Sequence, residues 1–429
     1  ALMQLYDQGK FALDQDVNPA LGFTLRNPYY PNDPITYRML LSHTSGIQDG
    51  TGYNDFLAAT SSQNIPPISS VLVQNGVHYT SNMWQNRKPG TYFAYTNMGF
   101  GVIGTLVERL SNQRFDRYCS DNIFKPLGIE ASFNVHDLRN INNLAVLYRT
   151  SGTQWVPQLD NYQGNPPPAR DLSSYVIGSN GSLFGPQGNL RISAKDLAVF
   201  MIARANNGIV NGVRILSDST ARRMNEPMWT FNGLNGDNYY GLFRRWGLGT
   251  HLTTNTAMGD IVFPGRSMAG HPGEAYGLIS DAYLDLNTSV GVVFVTNGKE
   301  GAYSFGTQSA FYDVEEAVFT AAYNFILTAP TIVETQPSVV ASRMVLRQNY
   351  PNPFNPVTTI EFSVPENART TVTIYSSLGQ RVATLYDDVA EAGRTYRVPF
   401  VAAGLSSGVY MAQVEFRGAV ERKRMLLVK

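Results

Sequence analysis

Apolar positions follow two different rhythms along the chain. Over residues 1–327, segments spaced for one helical face, at 100–110, 196–205 and 310–327, mix with strand-length apolar runs at 278–286 and 290–296. Such a mixture predicts an α+β unit with an antiparallel sheet flanked by helices. From residue 344 onward only strand-like runs recur, at 358–362, 371–375, 381–385, 396–400 and 409–416, with turns marked by Gly379, Gly393 and Gly404. That spacing predicts a small all-β sandwich of the immunoglobulin-like kind. Between them, residues 328–343 lack apolar periodicity and carry Pro330 and Pro337, as a linker does. The predicted organisation is therefore 1–327, a linker 328–343, and 344–429.

Capping chemistry fixes one helix start. The Ser193 hydroxyl can accept a backbone N–H of the first turn while Asp196 answers the positive helix end. Leu197, Val199, Phe200 and Ile202 then predict the core-facing side, and Asn206-Asn207-Gly208 supplies a left-handed stop. In contrast, residues 151–182 are aperiodic and contain Pro166-Pro167-Pro168, and loops of that length often border a substrate cleft.

Composition narrows the function. At 429 residues the chain exceeds the roughly 100–200 of one domain, and with 43% apolar and 15% charged residues it has the profile of a folded protein. Lys plus Arg number 33 and Asp plus Glu number 33, so no overall field draws nucleic acid or an anionic surface. One cysteine, Cys119, cannot form an intramolecular disulfide or a thiolate metal cluster, and its predicted role is buried filler. No apolar run approaches the about 20 residues of a membrane helix. The chain opens at Ala1 in helical register without a basic, then apolar leader, which predicts that sequence is missing before it.

Two segments carry candidate chemistry. In 89–99, Pro-Gly-Thr-Tyr-Phe-Ala-Tyr-Thr-Asn-Met-Gly, Tyr95 and Asn97 lie two residues apart, so in extended backbone both side chains face one space. A phenol with a pKa near 10 is a poor base unless a neighbouring ammonium favours the phenolate, so Tyr95 needs a lysine beside it. In 268–277, His271 stands two residues before Gly273, whose missing side chain lets backbone approach a ligand, followed by Glu274. A third segment, 34–47, ends a short helix at the polar, glycine-terminated Ser42-His43-Thr44-Ser45-Gly46, with His43 read as a hydrogen-bonded loop anchor.

These segments, in this order, resemble serine hydrolases of the β-lactamase and penicillin-binding group. Residues 34–47 are similar to that family's I-T-x-R-x-L-L-x-H-T-S-G-I segment, 5–14 to L-x-x-x-G-K-L-x-L-D, 89–97 to P-G-x-x-F-x-Y-S-N with Thr96 at the usual serine, and 271–273 to H-x-G. The resemblance implies a β-lactamase/transpeptidase-like fold and an acyl-enzyme. In it, Tyr95 shuttles protons with a lysine, Asn97 orients substrate, His271 assists electrostatically, and Gly273 with the Glu274 N–H frames the oxyanion side. His271 and Pro272 replace the K-T of the β-lactamase K-T-G, so esters or D-amino-acid peptides, rather than β-lactams, are the implied substrates. The family's nucleophile comes as S-x-x-K, one helical turn apart. None of the seven lysines has a serine three places before it. No nucleophile is assigned in this chain, and the pair is predicted to lie before Ala1, leaving the fragment inactive.

Other chemistries find no support. The closest approach to a G-x-S-x-G elbow, Gly265-Arg266-Ser267-Met268-Ala269, has alanine at its fifth position. His78, His136 and His251 form no ligand pair, and no phosphate loop or dinucleotide fingerprint accompanies the 38 glycines, so no metal or other cofactor is implied. At the other end, Asn-Tyr-Pro-Asn-Pro-Phe-Asn-Pro at 349–356, with 375–382, 404–410 and the basic, apolar tail 422–429, resembles type IX secretion sorting domains. That resemblance implies a secreted or outer-membrane-surface protein handled by the type IX machinery. The competing class is a non-catalytic surface protein of the same fold that binds its ligand without cleaving it.

Overall fold

A computed structural model describes residues 1–288, 290–328, 334–337, 341–402 and 405–428. The chain divides into two compact units, Ala1–Thr320 and Ala321–Lys429. Pro330 and Gly404 lie outside the described residues. Glu334–Pro337, read from its proline as linker, pairs antiparallel with 394–397 as an edge strand, where Pro337 at the strand end forfeits little of the ladder.

The larger unit is α+β. Among the described residues its main sheet has six antiparallel strands in the order Gly291–Val295, Leu278–Asp285, Met268–Ala275, His251–Leu252, Arg245–Trp246, Trp229–Thr230. Its longest hairpin turns on Tyr276 and Gly277, both with positive φ (54° and 93°), the two-residue geometry that matches the strands' twist. Tyr283 on this hairpin packs edge-on against Phe311 and Phe319, the latter on the Asp313–Thr328 helix.

The helical region centres on Asn97–Ser111, which buries Met98, Val102, Leu106 and Val107 in a core shared with Leu2, Leu5, Leu40 and Leu41. The Ala194–Ala205 helix begins as its cap predicts, Ser193 accepting the Asp196 N–H at 3.0 Å. Its buried side differs from the expected one. Met201 and Ala203 are buried, Val199 and Phe200 only half so, and Ile202 is 48% exposed. Four apolar residues within six positions cannot all share a face at 3.6 residues per turn.

Among the described residues the smaller unit has two four-stranded antiparallel sheets, one containing Val357–Ser363 and Arg394–Val401, the other Ala368–Ser376, Arg381–Ala390, Gly408–Phe416 and Ala419–Leu427. Alternation decides which side is inward: Ile360, Phe362 and Val398 from one sheet and Val372, Ile374, Ala412 and Val414 from the other are all buried at 1% exposure or less.

Candidate active site

The site is built on the start of the Asn97–Ser111 helix. Thr96 is its cap, extended at φ −146°, and its hydroxyl accepts the Gly99 N–H at 3.3 Å. Asn97 is thus the first helical residue and not the end of an extended pair with Tyr95, because the cap ends the strand geometry one residue earlier. A carboxylate that motif reading passed over governs this corner. Asp49 accepts the Thr96 hydroxyl at 2.9 Å and the Asn97 N–H, the Asn97 side-chain amide and the Met98 N–H, each at 2.8 Å. It satisfies N–H groups the helix leaves unpaired, opposite the positive end of the dipole, and fixes the direction of the Asn97 amide.

Tyr95 projects into a wall of rings. It stacks on Phe243 with centroids 5.5 Å apart and has His43 at 4.5 Å, His271 at 5.8 Å, and Tyr239 and Trp246 at 6.0 Å. Burial, then the neighbouring Tyr239 phenol and the Asp49 carboxylate, raise its hydroxyl well above the ordinary phenol range; no cation is among these groups. As placed, Tyr95 holds its proton. His43, at φ 54°, anchors the loop: its Nδ1 accepts the Thr96 N–H at 3.2 Å and its carbonyl the Ala94 N–H at 2.8 Å. Burial, reinforced by His271, depresses its basicity, so the imidazole stays neutral.

His271 lies on the Met268–Ala275 strand. This strand pairs with 278–285 along its whole length but with His251–Leu252 only at Ala269 and Gly270, so among the described residues that edge is free of a strand partner from His271 onward. Which groups face the free edge follows from alternation. Ile279, opposite Glu274, exchanges its N–H and carbonyl with Thr296 on its far side, so Glu274 turns its own N–H and carbonyl away from Ile279. The Glu274 N–H therefore points out of the free edge. Pro272 has the same parity and lacks an N–H, which leaves the Glu274 N–H as the next donor along that edge after Gly270. Gly273 faces Ser280 across the pair, and a Cβ on it would lie 2.5 Å from the Ser280 Oγ. The half-buried His271 has its Nδ1 2.5 Å from the Pro272 carbonyl, which can only accept, so Nδ1 carries the hydrogen and Nε2 is the acceptor. Burial first, and then the Arg204 charge, against the Pro272 carbonyl, lower its pKa and keep it neutral.

Tyr95 and His271, 176 positions apart in sequence, thus meet across one wall, with Asn97 tethered beside the first and Gly273 and Glu274 continuing the strand of the second. Asp49, Phe243 and Trp246 were not singled out from sequence; for Asp49 the only signal was its place two residues after the His43–Ile47 loop. Among the described residues no group of three or more His, Cys, Asp and Glu side chains is placed to hold a metal ion. Cys119 is buried, and burial pushes its thiol up to about 11.

An antiparallel sheet beside a helical region, with a Tyr-x-Asn helix start facing a His-x-Gly strand, defines the serine β-lactamase and transpeptidase class of fold. The chain belongs to the beta-lactamase family, whose match runs over residues 1–311. Residues 348–429 match the secretion system C-terminal sorting domain, so the protein is addressed through type IX secretion to the cell surface or beyond. No helix among the described residues is long and apolar enough to cross a membrane. The chain is 26% identical over 307 residues to penicillin-binding protein 4 of Amycolatopsis lactamdurans, covering 69% of this chain and 68% of that protein. It is 27% identical over 128 residues to protein flp of Staphylococcus aureus strain N315, covering 30% of this chain and only 24% of that protein. The structure of the octameric penicillin-binding protein homologue from Pyrococcus abyssi aligns with a TM-score of 0.51 at 17% identity, covering 100% of this chain and 81% of the other, a likeness of fold.

Proposed function

We propose that this chain is the body of an exported serine hydrolase that opens ester or amide bonds, of esters or D-amino-acid peptides, through an acyl-enzyme. The convergence of Tyr95 and His271 on the free edge of the Met268–Ala275 strand carries this reading. A serine oxygen attacks the substrate carbonyl, and its proton passes by way of Tyr95 to the leaving group. The negative oxygen formed is met by the Glu274 N–H, and Asn97, held by Asp49, orients the substrate amide. Water then attacks the acyl carbonyl and releases the acid, returning the proton to the serine. Because no serine stands three residues before a lysine here, the hydroxyl and its lysine are supplied from outside residues 1–429. That lysine also supplies the cation Tyr95 lacks: an ammonium nearby lowers a phenol that burial has raised.

The test is covalent labelling with a fluorophosphonate probe. Residues 1–429 should take up no label, whereas a chain extended at its N-terminus through an S-x-x-K pair should label, and Tyr95→Phe in that chain should slow acylation by 100-fold or more, within the usual range for proton-transfer groups. Labelling of residues 1–429 themselves would overturn the assignment of the nucleophile. An extended chain that never labels would favour the binding-protein reading.

A further inference from the structure

A second concavity opens where the free strand edge ends. Ala275 and Tyr276, immediately after Glu274, form one lip of a cleft of about 700 Å³, inside the range of small-molecule sites. Part of its wall is Leu147 and Leu159, paired at the open end of a hairpin, Leu147–Ser151 and Gln154–Leu159, at the start of the aperiodic stretch. That hairpin is pressed against the sheet. The Tyr148 N–H donates to the Asn297 carbonyl at 2.9 Å, and a Cβ on Gly277 would sit 1.9 Å from the Tyr148 carbonyl oxygen. Its exit is clamped by Arg191, whose Nε and Nη2 bind both Asp160 oxygens at 2.9 and 2.7 Å, with the two side chains only 13% and 6% exposed. The wall is therefore fixed before any ligand arrives.

The lining tells what fits. Leu138, Leu144, Leu147, Leu159, Leu190 and Leu278 make an apolar bed, and the exposed Asn143 and Asn189 add side-chain amides. The cleft's charges are three carboxylates, Glu130, Asp160 and Asp196, against the single guanidinium of Arg191, which Asp160 already neutralises. Glu130 accepts the Arg139 N–H at 2.9 Å and Asp196 the Ser193 hydroxyl at 2.8 Å. An anion placed here would meet excess negative charge with no free cation, whereas leucine-sized side chains flanked by peptide groups would meet leucines and amides.

We infer that this cleft is a substrate subsite for an uncharged, apolar peptide portion, so that the hydrolase acts on N-blocked apolar peptides or their esters and discriminates against anionic ones. The inference rests on the hydrolase reading for its meaning, but binding alone tests it. Three probes are titrated into residues 1–429 by calorimetry, in both L and D series: N-acetyl-leucyl-alanine methyl ester, its N-succinyl counterpart, and N-acetyl-glycyl-alanine methyl ester. The acetyl-leucyl probe of one series should bind roughly tenfold tighter than the glycyl probe, the gain of burying one leucine side chain, and at least as much tighter than the succinyl probe. Leu144→Asp, on a half-buried position, should abolish the leucyl preference. Exposed Asn143→Ala, which removes no packing, should weaken the leucyl probe severalfold with an unchanged melting temperature. Equal binding of the acetyl-leucyl and succinyl-leucyl probes, or a leucyl preference that survives both substitutions, would sink the subsite. Failure of the N-terminally extended chain to take up the fluorophosphonate label, with this preference intact, would sink the hydrolase and leave the subsite standing.

Discussion

The two units solve the problem of a core in opposite ways. In the smaller one every buried interior position of the central strands is apolar or threonine or glutamine, and Phe362 lies flat on Tyr396 with centroids 5.0 Å apart. In the larger one His43, His251, Arg266, Glu108, Asp281 and Glu315 are all buried at 5% exposure or less. Among the described residues this unit also holds buried side-chain nitrogens without a hydrogen-bond partner, His43 Nε2 and Trp246 Nε1 among them. Each such group costs stability that an apolar replacement would not. A sorting module needs a rigid surface and can be packed for stability alone, whereas a unit that positions reacting groups keeps polar side chains where water cannot reach them.

The contrast can be broken most forcefully from the apolar side. Phe362→Ala should destabilise the smaller unit by about 3–5 kcal/mol, since it deletes a buried ring that backing residues cannot replace. Hydrogen exchange should show protection lost in Val357–Ser363 and its partner strand, with the Asn97–Ser111 helix unaffected. Loss spreading to that helix would show that the units do not stand separately.

A smaller effect sharpens it from the polar side. Burial raises Glu315 to about 7, and burial first and Glu315 second raise Asp281 well above the usual carboxylate range. Groups with raised folded pKa values bind more protons folded than unfolded, so this pair's contribution to stability is fully present below the ordinary carboxylate range and is lost as pH climbs through about 7. Glu315→Gln should flatten that decline and, at pH 8, stabilise the larger unit by on the order of 2 kcal/mol in chemical denaturation. A decline of equal slope in the variant would show that the pair does not carry it.

Smaller again, Asp49→Ala should cost about 1–2 kcal/mol through the lost cap of Asn97–Ser111. Asp49→Asn should recover part of that loss, because an amide oxygen still accepts N–H groups but without charge. In an extended, acylating chain both should lower kcat more than they raise KM, since a freed Asn97 amide samples unproductive directions; an unchanged kcat would reduce Asp49 to a cap.

Much of this was written locally. Proline and glycine at 89–90, the Tyr-x-Asn helix start, the His-x-Gly strand and the proline-spaced entry at 349–356 are each short segments whose backbone demands are met by their own residues. Strand alternation in the smaller unit likewise follows from period-two patterning alone. The face of the Ala194–Ala205 helix did not follow, because four closely spaced apolar residues fit more than one face and only neighbouring elements chose Met201 and Ala203. Nor did Asp49, a lone carboxylate whose partners lie 47 to 49 residues ahead. The edge that exposes the Glu274 N–H, the ring wall around Tyr95 and the cleft beyond Tyr276 exist only once distant strands end at different heights. Sequence fixes conformation over a few residues by steric and hydrogen-bonding rules that act locally. What meets across a sheet, and what stays unpaired there, is settled by packing among segments hundreds of residues apart.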